Sequence, residues 1–311
     1  MKYITLAFLS LSVFFTCPKS TYAEDSIPPI DSADKAYAFA LVLYKERDYF
    51  RAVTEFKRYG FEKGTPEALR KACYASAVCY QVTREWQRAL AGWRELVVMD
   101  PLDPNIPEYA YRIAECLMAS GSYTELNNML LQFLPQCPKD SDYLDDAHFL
   151  RGSCLLAMRN WKDAETQFLE YQSLFPSGPL LNEAKSMEEG ARAINKMRRR
   201  DPKKAVVLSA IVPGLGQFYA GRSGDGWTAL LVNAFFGWST YNRFHNKDYH
   251  SAVPLLFVES SFYTGNVYGA GGAVTSRNRQ KEDELLAKTV AKVEDGVRSR
   301  LGHPERLQPK P

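Results

Sequence analysis

Gly216 to Ser223 reads GQFYAGRS, one residue away from the glycine-rich loop that cradles nucleotide phosphates, and an apolar run precedes it. That loop needs open backbone N–H groups, a lysine reaching the phosphates and an acidic strand end for magnesium. Here Arg222 stands in the lysine's place, bulky rings fill the cradle, and no acidic strand end follows. A glycine-rich turn between apolar helices is the reading that fits. The six cysteines raise disulfide or metal chemistry. Cys79, Cys116 and Cys154 recur at steps of 37 and 38 residues. Equivalent points on stacked helices lie about 8–10 Å apart, whereas a disulfide needs Cα atoms within about 7 Å. They therefore read as small buried hydrophobes. Cys73 and Cys137 have no partner suggested by spacing, and His148, His245, His250 and His303 lack the close Cys or His neighbours that zinc requires. No serine stands in a GxSxG elbow and no histidine has a base partner by spacing. Glu259 sits in an apolar stretch, where a carboxylate is a functional hypothesis if the segment enters a membrane. It could equally pair with Arg243 or lie near the interface. The expectation is a protein without catalytic residues, cofactor, metal or small-molecule substrate.

What must position any binding surface is a repeat. Tyr49, Trp86, Tyr123 and Trp161 follow one another at 37, 37 and 38 residues. Nine residues before each stands a small side chain: Ala40, Ala77, Ala114, Gly152. Three after come Ala52, Ala89, Leu126 and Ala164, and seven after come Phe56, Trp93, Leu130 and Phe168. Fifteen after come Gly64, Pro101, Pro138 and Pro176. Such self-similarity marks a helical solenoid. Small residues let two helix backbones approach, the aromatic fills the elbow, and proline stops the second helix. The pattern resembles the tetratricopeptide repeat (TPR) family, whose unit is a helix pair closed by a proline. Each unit is three or four residues longer than usual, which lengthens a helix by about one turn without rotating its buried face.

In the TPR family, the positions three residues before each small packing residue face a concave groove. Here they are Tyr37, Tyr74, Tyr111 and Phe149. The resemblance implies a ladder of rings suited to anchoring a peptide or helix of a partner protein. Leu41 and Val78 lie one turn further on, with Glu115 and Ser153; Tyr44 and Met118 follow, with Gln81 and Leu156. The alternative is that the rings only pack between neighbouring repeats. The family's carboxylate clamp of lysine and asparagine is missing, so capture of an acidic C-terminus is not implied.

The net charge of +3 and pI near 8.4 do not point to a nucleic-acid partner. Lys2, the apolar run Tyr3 to Thr16 and Thr21-Tyr22-Ala23 read as an export signal over residues 1–23. Cys17 raises the alternative of a lipoprotein, against which Phe-Phe-Thr precedes it; an uncleaved anchor is the third possibility. Export places the repeats in the periplasm.

Composition changes at Arg198, Arg199 and Arg200, followed by Lys203 and Lys204. This basic cluster would attract anionic headgroups of membrane lipid at about 1 kcal/mol per residue. Beyond it lie three apolar stretches, 205–221, 227–241 and 252–274, each near the short limit for a spanning helix. Pro213, Gly214, Gly216, Gln217, Tyr219 and Gly221 reproduce the signature of the paired-transmembrane-helix (TM-two) domain family, which this segment resembles. The third stretch departs from a two-helix hairpin. An exported repeat region would also leave the basic cluster outside, against the positive-inside tendency. Either the crossings are weakly oriented or the module lies in the membrane without spanning it. A soluble glycine-rich helical core is the alternative.

The expected organisation is all-α. A short linker (24–32) leads to a TPR superhelical solenoid of four helix pairs (33–178) with a capping helix (179–197). A basic linker (198–204), a hydrophobic helical membrane module (205–275) and a charged helical tail with a disordered end (276–311) follow. The expected role is a scaffold or assembly factor of the bacterial envelope, at the inner membrane rather than the outer. The alternative is an accessory subunit of a transport or insertion complex whose membrane module is the active part.

Overall fold

One turn, used four times, organises the first part of the chain. Arg47, Arg84, Gly121 and Arg159 hold left-handed φ angles of 65°, 62°, 76° and 60°, each two residues before an elbow aromatic. The next residue donates its N–H back to a carbonyl five residues earlier: Asp48 to Leu43 (2.9 Å), Glu85 to Tyr80 (2.8 Å), Ser122 to Leu117 and Asn160 to Leu155 (both 2.9 Å). This cap ends the first helix of each pair. Three of the four positions carry arginine, whose Cβ makes the left-handed conformation cost about 1 kcal/mol or more. Arg84 is exposed. Arg84→Gly is therefore expected to raise the free energy of unfolding by about 0.5 kcal/mol, the strain relieved less glycine's entropic cost. A urea melt showing a loss of stability would contradict this account of the turn.

The computed structural model describes residues 35–301. The expected signal segment, Cys17, the linker 24–32 and the residues after 301 lie outside the described residues. Every regular element among the described residues is helical. The pairs are α1 (Lys35–Lys45) with α2 (Tyr49–Lys63), α3 (Pro66–Val82) with α4 (Trp86–Met99), α5 (Ile106–Ala119) with α6 (Tyr123–Phe133), and α7 (Leu144–Ala157) with α8 (Trp161–Leu174); α9 (Leu181–Lys196) follows. Each helix from α1 to α7 packs on the next. Caps begin them where the sequence allows. The Asp48 carboxylate accepts the Arg51 N–H at 3.1 Å. The Thr65 hydroxyl accepts the Ala68 N–H at 3.2 Å, with Pro66 at the first helical position.

Small residues do the close packing. Ala40, Ala77 and Ala114 are fully buried, as are Phe56, Trp93, Leu130 and Phe168 on the second helices. A Cβ on Gly152 would stand 2.7 Å from the Phe168 ring, so nothing larger than glycine fits there. Cys79, Cys116 and Cys154 are free and buried. Burial pushes the Cys79 and Cys154 thiols up to about 12, far from the thiolate that redox or metal chemistry would need.

The chain divides into two compact units. Among the described residues, the first joins 35–195 with 286–301; the second is Lys196–Leu285. The second holds α10 (Pro202–Ile211), α11 (Leu215–Ala220), α12 (Ser223–His245) and the first part of α13 (Tyr249–Leu301). The residues of the charged tail up to 301 continue α13, and 286–301 belong to the first unit. The first apolar stretch is not one helix, because Pro213 and Gly214 (φ 95°) break it between α10 and α11. No helix among the described residues is long and apolar enough to cross a membrane. At 23 residues α12 spans about 35 Å, but Asn233, Thr240, Asn242 and Arg243 hold down its hydropathy.

Candidate functional site

The expected ring ladder is packed away. Tyr37, Tyr74, Tyr111 and Phe149 are all buried. Tyr37 packs on Phe56 and Tyr59, with centroids 5.2 and 5.0 Å away. Tyr74 meets Trp93 edge-on at 5.2 Å, Tyr111 meets Tyr143 at 5.4 Å, and Phe149 meets Phe168 at 5.5 Å. Val78 and Met118 are buried too, while Leu41 and Tyr44 are half-buried. The expectation of groove-facing anchors is thus corrected. These side chains touch the second helix of their own pair or a neighbouring segment, and that contact removes them from solvent.

The same row carries a polar network missed in the sequence. The Tyr74 hydroxyl donates to Glu108 at 2.7 Å, Gln81 Nε2 to Glu115 at 2.9 Å, and Trp93 Nε1 to Gln81 Oε1 at 2.9 Å. Arg112 donates to Glu115 at 2.8 Å, and its Nε lies 4.0 Å from Glu108. The three charged residues of α5 are all buried, Arg112 to 1% exposure. Their positions, four and three residues apart on one helix face, were the available signal. Burial, and then the Glu108 carboxylate, hold the Tyr74 phenol well above its usual range. The network ties α3, α4 and α5 together, and no bond-making chemistry follows from it.

The second unit distributes its residues the other way round. Its buried apolar cluster is small: Ala205, Ala220, Ala270, Ala273 and Val274. Polar side chains share that interior. Ser209 donates to Gln217 Oε1 at 2.9 Å and accepts the Gly216 N–H at 3.0 Å, and Gln217 Nε2 donates to the Asn266 carbonyl at 2.9 Å. A Cβ on Gly216 would collide with the Ala205 carbonyl, the Ser209 hydroxyl and the Ala270 methyl. The signature residues thus act together: glycine permits the close approach, and Gln217 bridges α11 to α10 and α13. Tyr219 is half-buried beside them, and Gly221 (φ 80°) ends α11. The segment that resembled a phosphate loop is therefore largely helical.

Large apolar side chains point outward. On α12 the buried positions are Gly226, Asn233 and Thr240, seven residues apart. Trp227, Leu231, Phe235, Trp238 and Tyr241 are 57–69% exposed. On α13 the inward positions Ala252, Glu259, Asn266 and Ala273 also recur every seven residues, while Phe257, Phe262 and Tyr268 are exposed. Inward polar stripes with outward rings invert the pattern of a water-soluble helix pair. The buried atoms Asn233 Oδ1, Thr240 Oγ1, Glu259 Oε2 and both side-chain polar atoms of Asn266 lack a hydrogen-bond partner among the described residues.

Arg243 pairs with Asp248 at 2.8 Å, not with Glu259. In the basic cluster, Arg199 pairs with Glu282 at 2.8 Å. Arg200 donates to the Tyr219 carbonyl, and its backbone exchanges hydrogen bonds with the Asn278 side chain. Arg198, Lys203 and Lys204 are exposed and are the members placed to meet an anion.

Burial holds the Glu259 carboxyl above its usual range. A raised folded-state value means that the protonated form stabilises the fold. That stability is complete below the ordinary glutamate value of about 4.3 and is lost as pH rises through the folded one. Glu259→Gln is expected to melt at a higher temperature than the parent at pH 7.5, with the gap closing at pH 4. An equal gap at both pH values would show that the carboxyl is not the cause.

No curated protein matches the chain. A family model does match residues 198–299, from the basic segment through α10, α11 and α12 and along nearly all of α13, and it is described as a family of unknown function (DUF5683).

Proposed function

We propose that the chain is a non-enzymatic scaffold of the bacterial cell envelope. Its second unit sits in the surface layer of a membrane without crossing it, and its first unit, a TPR-like stack of helix pairs, is the arm that holds a partner protein. The inverted second unit carries this reading. Tryptophan, tyrosine and phenylalanine are the side chains that settle at headgroup depth, and an exposed apolar patch of this extent marks an interaction surface. Arg198, Lys203 and Lys204 add attraction to anionic lipid. The apolar run at residues 3–16 supports export, and with it a periplasmic arm.

With the ring row buried, partner capture falls to the outer faces of the first pairs. A cleft of about 280 Å³ there is lined by Phe50, Thr54, Lys57, Tyr80 and Arg88 among others. Phe50 and Phe61 are 80% and 86% exposed. Rings at an open surface suit an apolar segment; Glu85 also lines the cleft and pairs with Arg88 at 2.6 Å, so its charge is mixed. Flotation of the full-length chain with vesicles tests the membrane half. It should rise with vesicles containing anionic lipid, and recovery in the dense fraction without detergent would overturn the reading. A second reading, an accessory subunit of a transport or insertion complex, draws support from the unpartnered polar atoms facing inward on α12 and α13. Buried polar groups are rarely left unsatisfied without a role. Under that reading Asn233→Leu would abolish activity of the complex while leaving vesicle binding intact.

A further inference from the structure

Gly190 on α9 continues the row of small residues: Ala40, Ala77, Ala114, Gly152 and Gly190 follow at 37, 37, 38 and 38 residues. In the fourth pair, the row's member meets Phe168 of the second helix. Gly190 instead meets Thr289 of α13, whose Cβ would lie 2.8 Å from a Cβ built on the glycine. Seven residues earlier on α9, the Glu183 side chain meets Gly296, seven residues later on α13, with its Cγ 3.1 Å from a Cβ built there. Falling numbers on one helix against rising numbers on the other mean an antiparallel pair. Equal steps of seven mean that one face stays on one face over two turns. The stripes agree. Ala184, Met187, Ala191 and Ile194 are buried on α9; Leu286, Val290, Val293 and Val297 are buried on α13.

We infer that α9 and residues 286–301 of α13 form a fifth helix pair of the same kind, with the sequence of the whole second unit falling between its two helices. The helix expected to cap the stack alone is the first half of a pair, and the second half comes from the far end of the chain. The closing helix of the arm is therefore available only after the chain has passed through the second unit. Charged residues of the supposed tail thus serve as the outer face of a packed helix, and α9 offers no open apolar face to another protein.

The test is made in the full-length chain. Gly190→Leu should lower hydrogen-exchange protection across residues 181–196 at least tenfold, whereas Gly272→Leu, at a site with nothing within 4 Å, should not. With Gly190→Cys and Thr289→Cys, mild oxidation should link the two positions in most molecules, read by peptide mass mapping. Unchanged protection in Gly190→Leu, or two freely alkylated thiols in the cysteine pair, would each overturn the inference.

Discussion

Full-length protein carrying Phe235→Asp and Trp238→Asp is expected to bind lipid vesicles about a thousandfold more weakly than the parent. Both rings face out from α12, at 61% and 66% exposure, so neither holds the unit together. If they rest in the headgroup layer, each contributes about 2 kcal/mol of apolar burial there. Removing two costs about 4 kcal/mol, and every 1.4 kcal/mol is tenfold in affinity; the new carboxylates add repulsion from anionic lipid. The free energy of unfolding should change by less than about 0.5 kcal/mol, as for other surface changes. A titration with vesicles separates the two effects. Unaltered partitioning would mean that the rings meet something other than lipid.

Arg112→Ala is expected to cost about 3–5 kcal/mol of stability. The substitution leaves Glu108 and Glu115, both buried, without their countercharge. It also takes away the donor that reaches Glu115 at 2.8 Å. Against a typical total of about 5–15 kcal/mol, this would leave the first unit partly unfolded at 37 °C. The cost comes from stranded carboxylates rather than from the lost pair itself. The triple replacement Arg112→Met, Glu108→Gln and Glu115→Gln should therefore recover much of it. Urea melts of the three proteins decide the matter, and a loss under 1 kcal/mol for Arg112→Ala would show that water reaches the cluster.

The repeat was readable because close helix packing tolerates only small residues, which leaves alanine or glycine at a fixed interval. The turn that accompanies it was less so: arginine at three left-handed positions hides a conformation that glycine would have advertised. Lys247 (φ 57°) hides the same turn between α12 and α13. The ring row was legible as a row, but whether it faced a groove depended on neighbouring segments that spacing does not describe. Arg112 was passed over because a lone cation in an amphipathic helix reads as a solvated face. Gly190 was in phase and visible, yet its partner lies almost a hundred residues on, beyond the reach of any local pattern. In the second unit the crowding of aromatics was plain. The seven-residue polar stripes that turn those rings outward became meaningful only once the buried faces were known.

Tryptophan quenching by brominated lipids bears most directly on the second unit's seat. Five tryptophans divide cleanly: Trp227 and Trp238 are exposed on α12, whereas Trp93 and Trp161 are buried in the first unit and Trp86 is half-buried there. In variants retaining one tryptophan each, emission from positions 227 and 238 should shift to the blue and be strongly quenched by bromines near the headgroups, while positions 86, 93 and 161 should be unaffected. Equal, weak quenching at all five positions would contradict a membrane seat built from outward rings.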